Sequence, residues 1–89
     1  MRLSTKQKQT VLQSCRVTRP DAKLTRRGGV WLAVWHLETD ALVDPDAKVP
    51  LGSRWRAQAI NLIDAHGVWW NGTEGQGKTR TLAIAEALY

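Results

Sequence analysis

One run of this sequence has to be buried by any fold the chain adopts. Val30-Trp31-Leu32-Ala33-Val34-Trp35-His36-Leu37 is its most apolar stretch, entered from Arg26-Arg27-Gly28-Gly29 and left at Glu38. A chain of 89 residues has room for a single core, because a domain this short removes only roughly 60–65% of its extended surface from water. The run therefore belongs at the centre of that core. The lone cysteine, Cys15, leaves no partner for an internal disulfide and too few ligands for a zinc site, so packing alone holds the fold. With five tryptophans and no phenylalanine, Trp must supply the aromatic bulk, and Trp31, Trp35 and Trp55 are the expected core members.

Periodicity favours a helix for this run. Continued through Ala41-Leu42-Val43 it exceeds a typical strand of about 5–6 residues. Coiled, it would stack Val30, Val34, Leu37 and Ala41 beside Trp31, Trp35 and Leu42. A strand over 30–37 followed by a turn is the rival reading, since short apolar runs fit both. Ser4 and Gln7 have the spacing of a capping box, opening a helix from Thr5 to about Cys15 with Val11, Leu12 and Cys15 on one face. A strand over 10–18 competes with it, and Pro20-Asp21 breaks either element. Asp44-Pro45-Asp46 and Pro50-Leu51-Gly52 mark a connecting loop. Ser53 then reads as the N-cap of a further helix carrying Trp55, Ala59, Leu62, Ile63 and His66, with Gly67 just past its end. Val68-Trp69-Trp70-Asn71 is strand-like, 72–77 is a glycine-rich loop, and 79–89 is a closing helix. The expected fold is a mostly helical α+β single domain over residues 1–89, with three to four helices and a short hairpin near 68–82.

Charge is distributed unevenly. The first 27 residues hold Arg2, Lys6, Lys8, Arg16, Arg19, Lys23, Arg26 and Arg27 against Asp21 alone, a net +7, whereas residues 28–89 hold five bases against seven acids, a net −2. Such an imbalance suits a polyanion, which attracts it over a Debye length of about 8–10 Å; a solvated face, part of it a disordered arm, is the plainer reading. Arg54 and Arg56 join the candidate nucleic-acid contacts because they flank Trp55, and Trp beside Arg suits base stacking with the guanidinium on phosphate. No run of eighteen apolar residues exists, and the N-terminus lacks the apolar segment of a secretory signal. A cytoplasmic protein with no membrane contact is expected.

The sharpest motif is Gly72-Thr73-Glu74-Gly75-Gln76-Gly77-Lys78-Thr79, which has the Walker A form: glycine, four residues, then Gly-Lys-Thr. Over about twenty residues the chain resembles the P-loop NTPases. The resemblance implies that backbone amides from Gly75 to Lys78 cradle phosphates, that Gly77 permits the approach, that Lys78 reaches the terminal phosphates and that Thr79 holds Mg²⁺. The chain departs from that family in its surroundings: ten residues follow Thr79, without a strand ending in the second acidic group. The stretch is therefore expected to be a surface loop or hairpin, with the start of something longer as the rival reading; a contact with one phosphate of a nucleic-acid backbone at the head of the last helix is a third.

Other constellations are thin. Trp69 and Trp70 are adjacent, so in a strand they point to opposite faces and one becomes an exposed interface candidate. His36 and His66 have no ligands at metal spacing, and Cys15 has no neighbouring base. No catalytic residues, metal or cofactor are expected. The leading expectation is a small, basic, non-enzymatic nucleic-acid-binding regulator or accessory protein, whose partner is nucleic acid or a nucleic-acid-associated protein. A protein-binding inhibitor or adaptor of the kind phages and mobile elements encode is the second expectation, and an NTP- or phosphate-binding fragment acting through 72–79 the third. Homo-oligomerisation is left open.

Overall fold

The computed structural model describes residues 2–44, 46, 48–49 and 51–89. Pro45 and Pro50, read above as markers of the connecting loop, lie outside the described residues. The elements are α1 (Thr5–Arg16), β1 (Lys23–Arg27), β2 (Val30–His36), β3 (Trp55–Asp64), β4 (Gly67–Trp70), β5 (Gly75–Gly77) and α2 (Arg80–Ala87), with short 3₁₀ turns at Leu37–Thr39 and Leu51–Ser53. The expectation of a mostly helical domain with three to four helices is therefore overturned. Among the described residues there are two α-helices and a five-stranded antiparallel sheet.

Both misread helices have a physical explanation. β2 lacks the usual polar alternation because both of its faces are covered. Trp35 and Ala33 pack with Leu3, Val11, Cys15 and Ile60 on the α1 side, with Trp31 partly buried against them. Leu32 and Val34 pack with Ala57, Ala59, Ala83 and Ile84 on the α2 side. The preceding Gly28 and Gly29 have φ of 56° and 80°, and Arg27 pairs directly with Val30. These are the backbone signs of a two-residue hairpin turn whose twist matches the flanking strands. In β3 the apolar positions first alternate, with Trp55, Ala57 and Ala59 on the α2 side. Ile60 falls on the α1 side by the same alternation, and the register shift between Ile60 and Leu62 brings Ile63 to that side as well. That phase change is what makes 55, 59, 62 and 63 imitate helical spacing.

The sheet has four lanes, because β4 and β5 run one after the other along the same edge of β3. β4 pairs with the C-terminal half of β3, ending at Ile60 opposite Trp70, and β5 pairs with its beginning, Ala57 opposite Gly75. Between them the Asn71 amide donates to the Ala59 carbonyl at 2.9 Å, and Gln58 Nε2 donates to the Asn71 carbonyl at 2.8 Å. Residues 72–74 are thus left outside the ladder. The β1–β2 and β3–β4 turns share one end of the sheet, here the turn end. α1 starts there, with the Lys8 ammonium 4.9 Å from the Trp31 ring centroid. It finishes at the opposite end, where Arg16 Nε donates to the Ala22 carbonyl at 3.0 Å. Its expected capping box is present in full between Ser4 and Gln7.

α2 lies directly on the backbone of β5. A Cβ at Gly75 would run into the Ala83 carbonyl oxygen and the Ala87 amide nitrogen. One at Gly77 would come within 2.6 Å of the Ala83 nitrogen. Helix and strand backbones have no freedom to move aside, so Gly75→Ala and Gly77→Ala are each expected to cost about 3 kcal/mol. Thermal unfolding should fall by about 12 °C or more for either variant. Gly72→Ala, whose Cβ meets nothing within 4 Å, should stay within about 0.5 kcal/mol of the parent.

Candidate functional site

The basic residues of the first 27 positions do not form one patch; the fold divides them between the two ends of the sheet. Lys6 and Lys8 lie in the first half of α1 and Arg2 just ahead of its N-cap. Arg26 and Arg27 close β1 beside the glycine turn, Arg26 in register with Trp31. These five belong to the turn end. Lys23 opens β1 at the other end, close to the Arg16–Ala22 contact, and Arg19 lies in the turn between α1 and β1. Arg54 and Arg56 also belong to that opposite end. The Arg54 carbonyl accepts from the Leu37 amide at 2.7 Å, and Arg56 pairs with Trp35 across the ladder. Strand alternation breaks up the Arg-Trp-Arg triplet as well. Trp55 packs on the α2 side, in edge contact with His36 at 5.0 Å, while Arg56 shares the α1 side with Trp35.

The end opposite the turns holds the most organised polar cluster among the described residues. Trp35 is 1% exposed, yet its indole Nε1 donates to Asp40 Oδ2 at 3.0 Å. The same oxygen receives Arg19 Nε at 3.3 Å, and Asp40 Oδ1 accepts the Leu42 amide at 2.9 Å. The Arg19 guanidinium lies over the indole, 3.9 Å from the ring centroid. Its Nη2 reaches Glu74 Oε1 at 3.4 Å, and Arg56 Nη1 reaches Glu74 Oε2, also at 3.4 Å. Glu74 comes from the segment that leaves the ladder between β4 and β5. An open cavity of about 390 Å³ adjoins the cluster, lined by Arg19, Arg56, Glu74, Asp40, Lys48 and the apolar Leu37, Leu42, Val43 and Val49. Sequence reasoning found the two arginines and missed both carboxylates, since no local pattern links Asp40 or Glu74 to Arg19.

The 72–79 stretch is built differently from a loop between a strand and a helix. Gly75, Gln76 and Gly77 are themselves strand, paired with Ala57, Arg56 and Trp55, and both glycines are buried under α2. Thr79 is the N-cap of α2, its hydroxyl accepting from the Leu82 amide at 3.2 Å, and Lys78 is exposed. The glycines here serve the close approach of helix to strand. Trp69 and Trp70 face opposite sides of β4: Trp70 is packed against the α1-side core, whereas Trp69 is 53% exposed. Trp69 is paired across the strands with Leu62, itself 51% exposed, and its Nε1 donates to Asp64 Oδ2 at 3.1 Å.

Among the described residues there is no group of three or more His, Cys, Asp or Glu side chains placed to hold a metal, and no helix long and apolar enough to cross a membrane. Cys15 is buried; loss of solvent raises its thiol pKa above the usual cysteine range, partly offset by the positive charges of Arg19 and Arg16. Comparison with known protein families, with curated proteins and with solved structures returns no match.

Three outcomes are expected. Asp40→Ala strands the Trp35 Nε1–H, the Leu42 amide and a largely buried arginine, and should cost about 3–4 kcal/mol in denaturant unfolding. Cys15, protonated and buried, should react with iodoacetamide at neutral pH only as fast as the domain unfolds. Its raised pKa also fixes the sign of a pH effect. The stability it contributes is fully present below the unfolded-state thiol pKa and is lost as pH rises through the folded value. The parent should therefore lose stability relative to Cys15→Ala as pH is raised above about 9.

Proposed function

We propose that the chain is a small, non-enzymatic nucleic-acid-binding protein, a regulator or accessory factor, that grips the phosphate backbone with the turn end of its sheet. The contacts are Lys6, Lys8, Arg26 and Arg27, with Arg2 alongside. What carries this reading is that none of these five bases is ion-paired to a carboxylate among the described residues. The ion pairs among the described residues involve Arg19, Arg56 and His36, all at the other end. Asp64, the acid beside the β3–β4 turn, is occupied by the His66 amide at 2.8 Å and by Trp69 Nε1.

The placement of the bases in α1 supports the same reading. Lys6 lies in the first turn of α1, which carries no acid, although a helix N-terminus disfavours positive charge by a few tenths of a kcal/mol. A local cost of this sort is tolerated where function requires it. Here the Thr5 and Lys6 amides, which the capping box does not engage, add to the attraction for phosphate. Arg27 is held in shape by Nη1 donating to Thr25 Oγ1 at 3.2 Å and to the Arg26 carbonyl at 3.1 Å. Lys8, stacked on the half-buried Trp31, presents its charge beside a ring that is in register with Arg26.

Binding carried by four or five phosphate contacts should weaken with salt, log K falling against log[salt] with a slope of about −4. Fluorescence anisotropy with short duplex and single-stranded DNA and RNA is the direct test. Arg26→Glu with Arg27→Glu should abolish binding at about 100 mM salt, while Lys78→Glu leaves it intact. Absence of binding at about 50 mM salt, or binding that the double variant retains, would overturn the reading.

A second reading rests on the exposed Leu62–Trp69 pair: a protein-binding adaptor or inhibitor anchored by an aromatic residue. It requires a stoichiometric protein partner that survives nuclease treatment and is lost on Trp69→Ser.

A further inference from the structure

The cavity at the end opposite the turns has the charge and geometry of an anion site already filled by one of the protein's own side chains. We propose that Arg19, Arg56 and Lys48 form a binding site for a phosphate monoester, with Glu74 as the resident anion that the ligand displaces.

Glu74 bridges two guanidinium groups, but through one long contact of 3.4 Å to each. Arginine–carboxylate pairs that contribute strongly are shorter, about 2.7–2.9 Å, and bidentate. Two long single contacts with a side chain still 32% exposed describe a weakly held group. Asp40 is the opposite case, 5% exposed and accepting three hydrogen bonds. Asp40 is therefore fixed and Glu74 is the exchangeable partner.

The charge count selects the ligand. With Glu74 swung out, the cavity is lined by three cations, Arg19, Arg56 and Lys48, against the single carboxylate of Asp40. That leaves +2. A phosphate monoester carries about −1.5 to −2 at neutral pH, whereas a carboxylate or an internal phosphodiester carries −1. Three terminal oxygens can also engage both guanidinium forks and the ammonium, which a carboxylate cannot do from one position. Lys48 makes no ion pair among the described residues. Leu42, which is 68% exposed, together with Val43 and Val49 gives the cavity an apolar wall against which a nucleobase or other body attached to the phosphate can rest. The segment carrying Glu74 lies outside the sheet ladder, so its displacement breaks no strand pairing. Two sources supply this chemistry, the 5′-phosphate end of a nucleic acid strand and a free mononucleotide. The site is separate from the turn-end bases, and its existence does not depend on them.

The test follows the Nε–Hε signals of Arg19 and Arg56 by NMR on the ¹⁵N-labelled full chain during titration with inorganic phosphate. Both signals should shift with an affinity near millimolar. Glu74→Gln should tighten binding by about tenfold because the competing charge is gone. Lys48→Gln, an exposed and unpaired position with no expected change in melting temperature, should weaken it by about fivefold. The Arg26→Glu, Arg27→Glu double variant should bind phosphate like the parent, so loss of nucleic-acid binding and loss of this site are told apart. A 5′-phosphorylated oligonucleotide that moves both arginine signals where its 5′-hydroxyl counterpart does not identifies a strand end as the source; movement by adenosine monophosphate alone identifies a mononucleotide. Arginine signals that stay fixed in both parent and Glu74→Gln up to about 10 mM phosphate, or equal affinity in parent and Lys48→Gln, would overturn the proposal.

Discussion

A buried tryptophan brings a hydrogen-bond donor into a place where water cannot serve it, and the arrangement of one whole end of this protein follows from how Trp35 resolves that difficulty. Its ring lies in the α1-side core, where it contributes area burial that few other residues of this Phe-free chain could supply. Its Nε1 proton goes to Asp40, five residues on, at the point where the chain leaves β2. A carboxylate taken that far out of water needs a counter-charge, and Arg19 provides it while stacking on the same ring. The turn after α1, the end of β2 and the start of the long β2–β3 connection are thereby tied together. Through Glu74 the tie extends to the segment between β4 and β5.

The other face is joined by the opposite device, the absence of side chains. Gly75 and Gly77 on β5, Ala57 and Ala59 on β3, and Ala83 on α2 leave so little between helix and sheet that backbone meets backbone. The two faces divide the chain's limited resources: bulky tryptophan, Leu3, Val11 and Ile60 fill the space under α1, and under α2 small residues bring helix and strand together beside Leu32, Val34 and Ile84. A Walker-like spelling at 72–79 is compatible with this division. Two glycines one residue apart are what a strand needs when a helix rests on it, and a lysine and threonine are ordinary residues for the turn and cap that follow.

The parts of the fold legible in the sequence were those whose signals are local. The Ser4–Gln7 capping box placed α1, Thr79 and the apolar face after it placed α2, and the adjacency of Trp69 and Trp70 showed that one of the two rings would be exposed, without saying which. The centre of the sheet was not legible, because its pattern reports on two layers at once. β2 is apolar at nearly every position when helices cover both of its sides, and β3 changes phase at the shift between Ile60 and Leu62, so neither displays the two-residue period. The Arg-Gly-Gly-Val turn was the one local sign that contradicted a helix over 30–42. The charged cluster was beyond sequence reasoning for a different reason. Arg19, Asp40, Arg56 and Glu74 are brought together only by the pairing of β3 with β2 and β5 and by the corner after α1.

Dividing the bases between two ends changes what the net charge of the first 27 residues signifies. β2 alone spans seven residues, and at about 3.4 Å per residue the two ends of the sheet are separated by roughly 20 Å. That distance is more than twice the screening length of about 8 Å at physiological salt. The ends therefore act as independent electrostatic sites, and each is governed by its own balance. At the turn end Arg2, Lys6, Lys8, Arg26 and Arg27 face little but an Asp64 that is already hydrogen-bonded. At the other end Arg19, Arg56 and Lys48 surround Asp40 and Glu74, an excess of one positive charge that doubles when Glu74 moves. A surface with a standing excess of charge attracts any polyanion and discriminates weakly. A site whose excess grows when an internal anion is displaced responds to ligands able to replace that anion in both charge and shape. The fold thus places the chain's basic residues in two different electrostatic settings, and the position of two carboxylates far away in sequence separates them.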